Sequence, residues 1–244
     1  MILLVDIGNT NTHLGLANEK QVVRCWEFPT RDAARRPKLA RERVEGAIIG
    51  SVVPAAVGPM RRAIRRIYGV EPLLLSHKLD LGIGLRFPRP EQIGADRLAN
   101  AVSLAHRHGA PAIGVAFGTA LVFDIINARA EYAGGVIAPG LAAMTDYLYQ
   151  KTALLPKLSL REPRHAIGKS TVEAMETGAI IGYRGLVREI LTAVRREMRG
   201  KPPVVVGTGA YAKLIAAKLP DIGCVDENLT LEGLRIVYLR NRAK

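Results

Sequence analysis

The residues best suited to chemistry begin at Asp6. In Met1–Leu14 (MILLVDIGNTNTHL) a short apolar run, Ile2–Val5, leads into Asp6, then Gly8-Asn9-Thr10, then Leu14 and Leu16 beyond. The run is too short for a helix and reads as a buried strand. The turn-forming cluster and the returning leucines predict a second strand, hence a hairpin with one carboxylate at its mouth. Gly8 lets backbone N–H groups approach an anion, and Asn9, Thr10 and Thr12 can donate hydrogen bonds to it. Asp6 repels a bare phosphate but can hold Mg²⁺ directly or through water. A carboxylate beside a phosphate-sized turn therefore implies a metal–nucleotide complex. The same residues also suit a plain hairpin whose Asp and Asn satisfy the turn.

The elements that must position these residues follow from periodicity. Gln21–Phe28 reads as a third strand, Arg31–Arg43 as a basic helix interrupted by Pro37, and Gly46–Val53 as a buried strand. Pro54–Tyr68 reads as a helix with Pro at its start, Pro72–Ser76 as a strand, and Leu81–Pro90 as a loop. Glu91–His108 predicts a long helix ended by Gly109-Ala110-Pro111. At Ala112 the pattern restarts: strand Ala112–Phe117, turn Gly118-Thr119, strand Ala120–Ile126 and a third strand around Tyr132–Ile137. Val5–Thr10 and Val115–Ala120 form a weak internal repeat, which predicts two lobes, residues 1–111 and 112–244, each opening on a phosphate hairpin. The cleft between such lobes is the expected ligand site. Helices at Leu141–Thr152 and Thr171–Arg199, a strand at Pro203–Val206 and closing helices complete the chain.

The composition, 48% hydrophobic and 23% charged over 244 residues, is that of an ordinary globular protein. Cys25 and Cys224 lie far apart, without the spacing of a zinc site or disulfide framework. The N-terminus lacks a basic region and Asp6 interrupts its apolar run, so no signal peptide is read, and no stretch approaches a membrane span. A cytoplasmic protein is expected. The net charge of +13 raises nucleic acid as a partner, but aromatic residues make up only 5% and do not interleave with the basic runs. Arg61, Arg62, Arg65 and Arg66 share one side of a helix, as a solvated face does. A positive field also attracts ATP and other anions.

Six motifs occur in order: Asp6-Ile7-Gly8-Asn9-Thr10, Gly94-Ala95-Asp96-Arg97, Gly118-Thr119-Ala120, Gly134-Gly135-Val136-Ile137-Ala138-Pro139-Gly140, Gly168-Lys169-Ser170-Thr171 and Leu229-Thr230-Leu231-Glu232-Gly233-Leu234. Together they resemble the type III pantothenate kinases, nearly end to end. The resemblance implies an α/β fold of duplicated ribonuclease-H-like lobes, of the actin/sugar-kinase/acetate-kinase type, with mixed sheets and flanking helices. It also implies a homodimer with the active site near its interface, and ATP-dependent phosphorylation of pantothenate, the first step towards coenzyme A.

By the same resemblance ATP lies along Asp6, Ile7, Gly8, Asn9, Thr10, Asn11, Thr12 and His13, and at Thr119. Asp96 is the catalytic base, and Phe87, Gly94, Ala95, Asp96, Arg97 and Thr171 bind pantothenate, Thr171 from the partner subunit. A carboxylate suits a base because it takes up the hydroxyl proton as that proton becomes acidic. Arginine suits a carboxylate-bearing substrate because it can grip it with two parallel hydrogen bonds. Blander roles remain open: Asp96 as a first-turn helix carboxylate, Arg97 as a salt bridge to Glu91 or Asp96, Thr171 as a helix cap, His13 as a hairpin residue, and Asp124 as either a metal or phosphate contact or a strand-end carboxylate facing water. Four positions depart from the family. Ala116 replaces the aspartate that binds a monovalent cation, K⁺ or NH₄⁺. Val122 replaces a threonine, Phe87 a tyrosine, and Ala210 interrupts Thr-Gly-Gly. Two further readings stand beside the pantothenate kinase: a catalytically impaired, nucleotide-binding relative acting in regulation of transcription, and a kinase for another acceptor.

Overall fold

The computed structural model describes residues 1–33, 39, 42–198 and 200–242. Most of the basic helix expected over Arg31–Arg43, and the last residue of that expected over Thr171–Arg199, lie outside these. The elements run β1 (Ile2–Ile7), β2 (Asn11–Ala17), β3 (Val22–Pro29), α1 (Thr30–Ala33), β4 (Gly46–Ser51), α2 (Pro54–Tyr68), β5 (Leu73–Leu74), β6 (Gly84–Leu85) and α3 (Ala95–Ser103). They continue with β7 (Ala112–Phe117), β8 (Ala120–Ile126), β9 (Glu131–Pro139), α4 (Leu141–Lys151), α5 (Thr171–Glu197), β10 (Val204–Thr208), α6 (Ala212–Ala216), β11 (Cys224–Val225) and α7 (Leu229–Asn241).

The chain packs as two units: Met1–Gly109 with Arg129–Gly134 and Asn228–Lys244, and Ala110–Ala128 with Gly135–Glu227. A single division at residue 111 therefore misses the return of α7 to the first unit. Gly233 accounts for that return, because any Cβ there would collide with the Ala99 carbonyl of α3. Around it Thr230 Oγ1 hydrogen-bonds Asn100 Oδ1 at 2.7 Å. The buried Glu232 carboxylate accepts the Val22 N–H at 2.8 Å and the Arg235 Nε–H at 2.7 Å. The motif Leu229–Leu234 is thus architectural.

In the first unit the sheet order is β3-β2-β1-β4-β5. β1 is antiparallel to β2, with Asp6 opposite His13, and parallel to β4, with Asp6 opposite Gly50. As a central strand β1 is apolar on both faces. Leu3, Val5 and Ile7 join Met60 and Ile64 of α2 in one core. Alternation puts Leu4 and Asp6 on the opposite face. The second unit carries strands in the order β11-β10-β7-β8-β9. Its core gathers Phe117, Phe123, Tyr183, Val187 and Leu191. β7 and β8 repeat the hairpin of β1 and β2, and in both first strands only the fifth residue, Asp6 or Ala116, escapes full burial. This is the duplicated fold of the actin and sugar-kinase type.

The long helix expected from Glu91 starts only at Ala95: Pro90–Gln92 forms a separate 3₁₀ turn and Gly94 caps α3. A π-helical turn, Leu104–His108, then carries the chain to Gly109 at φ +87°. The loop expected over Leu81–Pro90 contains the short β6. α2 ends at Gly69 in the left-handed conformation, and its Arg61 and Arg65 pair with Glu71. Among the described residues no helix is long and apolar enough to cross a membrane.

Candidate active site

Gly94-Ala95-Asp96-Arg97 has a steric logic. A Cβ at Gly94 would lie 2.5 Å from Asp96 Oδ1 and 3.4 Å from Val52 Cγ1, so glycine leaves room for the carboxylate. Ala95 is buried over Gly50, where a Cβ would approach Ala95 Cβ to 3.7 Å. Gly50 is the ladder partner of Asp6, so two small residues let the start of α3 settle beside Asp6. Asp96 Oδ1 accepts the Arg97 backbone N–H at 2.9 Å, as a first-turn carboxylate does. Burial raises the Asp96 pKa, opposed by that N–H and by the Arg97 charge. Asp6 is pushed from 3.8 to about 7, first by burial and then by the neighbouring Asp96 charge.

The first hairpin turn is tied inward more than its sequence suggests. The Gly8 N–H donates to the Asn11 carbonyl at 3.0 Å, and a Cβ at Gly8 would crowd that oxygen at 2.9 Å. This N–H is therefore spent within the turn rather than offered to an anion. Thr12 also departs from expectation: its side chain is fully buried, with Oγ1 3.0 Å from Thr30 Oγ1. Ile7 likewise turns its side chain into the core, leaving only backbone to a ligand. Asn9 and Thr10 stand exposed at the tip. Asn11 Nδ2 and His13 Nδ1 lie 3.4 and 3.3 Å from Glu27 Oε2. Thr30 is the residue that sequence reasoning missed. Its Oγ1 donates to the Gly8 carbonyl at 2.7 Å and its N–H to the Thr10 carbonyl at 2.9 Å. The one sequence signal was a threonine directly after a strand.

Arg97 lies over the Tyr132 ring, its guanidinium carbon 5.7 Å from the ring centre. Phe87 also packs against that ring, with centroids 6.0 Å apart at 58°. β6 pairs Leu85 with Tyr132, which brings Phe87 and Tyr132 together within the first unit. So Phe87, Gly94, Ala95, Asp96, Arg97 and the first hairpin all belong to one unit.

Thr171 and Thr119 belong to the second unit, each in its own setting. The cap of α5 is Ser170, whose Oγ accepts the Glu173 N–H at 3.2 Å, while Glu173 reaches back to the Lys169 N–H at 2.7 Å. Thr171 is the first helical residue and is exposed, so the capping role left open for it belongs to its neighbour. The turn Gly118-Thr119 is pressed closely: a Cβ at Gly140 would collide with both its carbonyls. Gly209, at φ +91°, packs against the Phe117 backbone. Ala210 does not take a positive φ, so its replacement of a glycine carries no backbone strain. Ala116 and Val122 face each other across β7 and β8, so two departures from the family pattern form one apolar pair. Asp124, open between a metal or phosphate contact and a strand-end carboxylate facing water, is buried, which removes the water-facing reading.

A family model described as type III pantothenate kinase matches residues 2–193. A type III pantothenate kinase of Akkermansia muciniphila is 46% identical over 239 residues, covering 96% of each chain. That of Geobacter sulfurreducens is 38% identical over 255 residues, covering 99% of this chain and 100% of its own. Among solved structures, a conserved Baf family protein from Campylobacter jejuni superimposes with a TM-score of 0.65 at 16% identity, over 98% of both chains. That likeness shows a shared fold.

Proposed function

The chain belongs to the type III pantothenate kinase family, and we propose that it performs the reaction of that family with Asp96 as the base and the first hairpin as the phosphate cradle. The reaction is the ATP-dependent phosphorylation of pantothenate in coenzyme A biosynthesis. The observation that carries the assignment is the pair of carboxylates, Asp6 and Asp96, brought close enough that the Asp96 charge adds to burial in raising the proton affinity of Asp6.

Transfer of the γ-phosphoryl group to a primary alcohol needs positioning and charge neutralisation more than covalent help. Asp96 accepts the hydroxyl proton; its raised pKa strengthens it as a base. Arg97, steadied over the Tyr132 ring, offers its guanidinium to the carboxylate at the far end of pantothenate. Phe87 supplies an apolar wall where the family has a hydroxyl. Among the described residues no group of three or more His, Cys, Asp or Glu could hold a metal by itself. That suits Mg²⁺, which takes one or two carboxylates and completes its shell with phosphates and water. Asp6 is the residue that would hold it, and the ion would supply neutralisation of the phosphate charge.

The monovalent cation fits poorly. K⁺ needs several oxygen ligands, and the Ala116–Val122 pair provides no side-chain oxygen. Catalysis without K⁺ is the expected outcome. A homodimer is proposed as well, supported by Met144, Tyr147 and Leu148 of α4 and Val172 and Ile181 of α5, all exposed in the single chain. Thr171 stands beside Val172 and would reach the neighbouring subunit's pantothenate.

The test is ADP release with Mg²⁺-ATP and pantothenate, with and without K⁺ at constant ionic strength. Asp96→Asn is expected to lower turnover about 10²–10⁴-fold while ATP still binds. The wild-type rate should not change with K⁺. Turnover that survives in Asp96→Asn would remove the base assignment, and a steep K⁺ response would restore the cation site.

A further inference from the structure

We propose that Thr30, 22 residues beyond the first hairpin turn, is a positioning residue that aims the turn's amides at the phosphates of ATP; this rests on the reading of that hairpin as the cradle. Thr30 Oγ1 has one hydrogen, and it goes to the Gly8 carbonyl at 2.7 Å. In the 3.0 Å contact between Thr12 and Thr30 hydroxyls, Thr12 must then be the donor. The result is a directed chain, Thr12 O–H to Thr30 O–H to Gly8 C=O, buried at both threonines. The Thr30 N–H adds a second hold, on the Thr10 carbonyl at 2.9 Å.

Two carbonyls of the turn are thereby drawn to one side. A trans peptide is planar, with its C=O and N–H pointing in opposite directions. Pinning the Gly8 carbonyl turns the Asn9 N–H away from Thr30, and pinning the Thr10 carbonyl does the same for the Asn11 N–H. The turn consequently presents the Asn9 and Asn11 N–H groups on the side opposite Thr30 and keeps the Gly8 and Thr10 carbonyl oxygens off a polyanion. Without the clamp the Gly8–Asn9 peptide can flip, which would set an oxygen against a phosphate. The end of β3 and the start of α1 place Thr30 against the turn.

The experiment compares Thr30→Val with Thr30→Ser in the full-length enzyme, measuring ATP affinity without pantothenate and the KM of each substrate. Valine keeps the shape and removes the hydroxyl, so ATP affinity and KM for ATP should weaken about five- to tenfold. KM for pantothenate should stay within about twofold, and Thr30→Ser should return ATP affinity to near wild type. A merely structural threonine would lower thermal stability without this split, and an unchanged ATP affinity in Thr30→Val would overturn the proposal. Should Thr30→Val fail to fold, Thr30→Ala serves in its place, since it leaves room for water at the Gly8 carbonyl. Equal ATP affinity for Ala and Ser would again overturn it. Gly8→Ala separates the two readings. If it leaves ATP binding intact, the hairpin is not the cradle; if it weakens ATP while Thr30→Val does not, only the Thr30 assignment falls.

Discussion

Asp6 and Asp96 oppose each other in a way that should be visible without any substrate. The folded-state pKa of Asp6, about 7, lies above its ordinary 3.8, so the folded protein holds this proton more tightly than the unfolded chain. The folded state benefits fully below pH 3.8 and loses that benefit as pH rises towards about 7. Thermal stability of the ligand-free protein should therefore fall between pH 5 and pH 8 by more in the wild type than in Asp6→Asn. Both proteins share every other titrating group, so the difference isolates Asp6. Parallel melting profiles across that range would show that Asp6 is not under this strain. Asp96 shares the direction of shift through burial, opposed by the Arg97 N–H and charge, which support its anion.

At the scale of elements, α3, which carries Asp96, packs against α7. Gly233 allows α7 to approach the Ala99 carbonyl, and Gly233→Ala should press the helices apart, at a cost of about 1–3 kcal/mol. A fall of several degrees in melting temperature, with a larger relative loss of activity than of folded protein, is the expected result. An unaltered melting temperature would mean the helices can slide without cost. β1, α2 and β7 were legible from sequence, since they follow apolar runs and proline and glycine punctuation, whereas the bounds of α3 and α7 were not. The GADR stretch was readable as a motif, yet its sterics were not, because they depend on Gly50 and Val52 lying alongside it. Thr12 misled for a similar reason. A threonine in a turn motif looks like a donor to a ligand, and only the strand pairing shows that it faces Thr30 within the core. Ala116 and Val122 read as two separate departures, whereas their cross-strand register makes them one.

At the scale of the whole molecule, the proposed homodimer rests on the exposed apolar residues of α4 and α5. Sedimentation should give twice the 26.4 kDa chain mass. Ile181→Arg, which places charge on a residue 44% exposed in the single chain, should shift the species towards monomer and reduce pantothenate turnover together. A fully active monomer would argue against a shared site. The route of the chain has a further consequence for its synthesis. Every candidate site residue, from Asp6 to Thr171, leaves the ribosome before α7 is made, yet the first unit counts α7 among its parts. The residues translated first must wait for those translated last. The second unit, made of Ala110–Ala128 and Gly135–Glu227, has all its segments in hand earlier. A stop codon just after residue 227 would spare the entire chemistry of the protein in its coding sequence and still deny Asp96 the helix on which α3 rests. Late truncations should thus behave as folding defects of the N-terminal part.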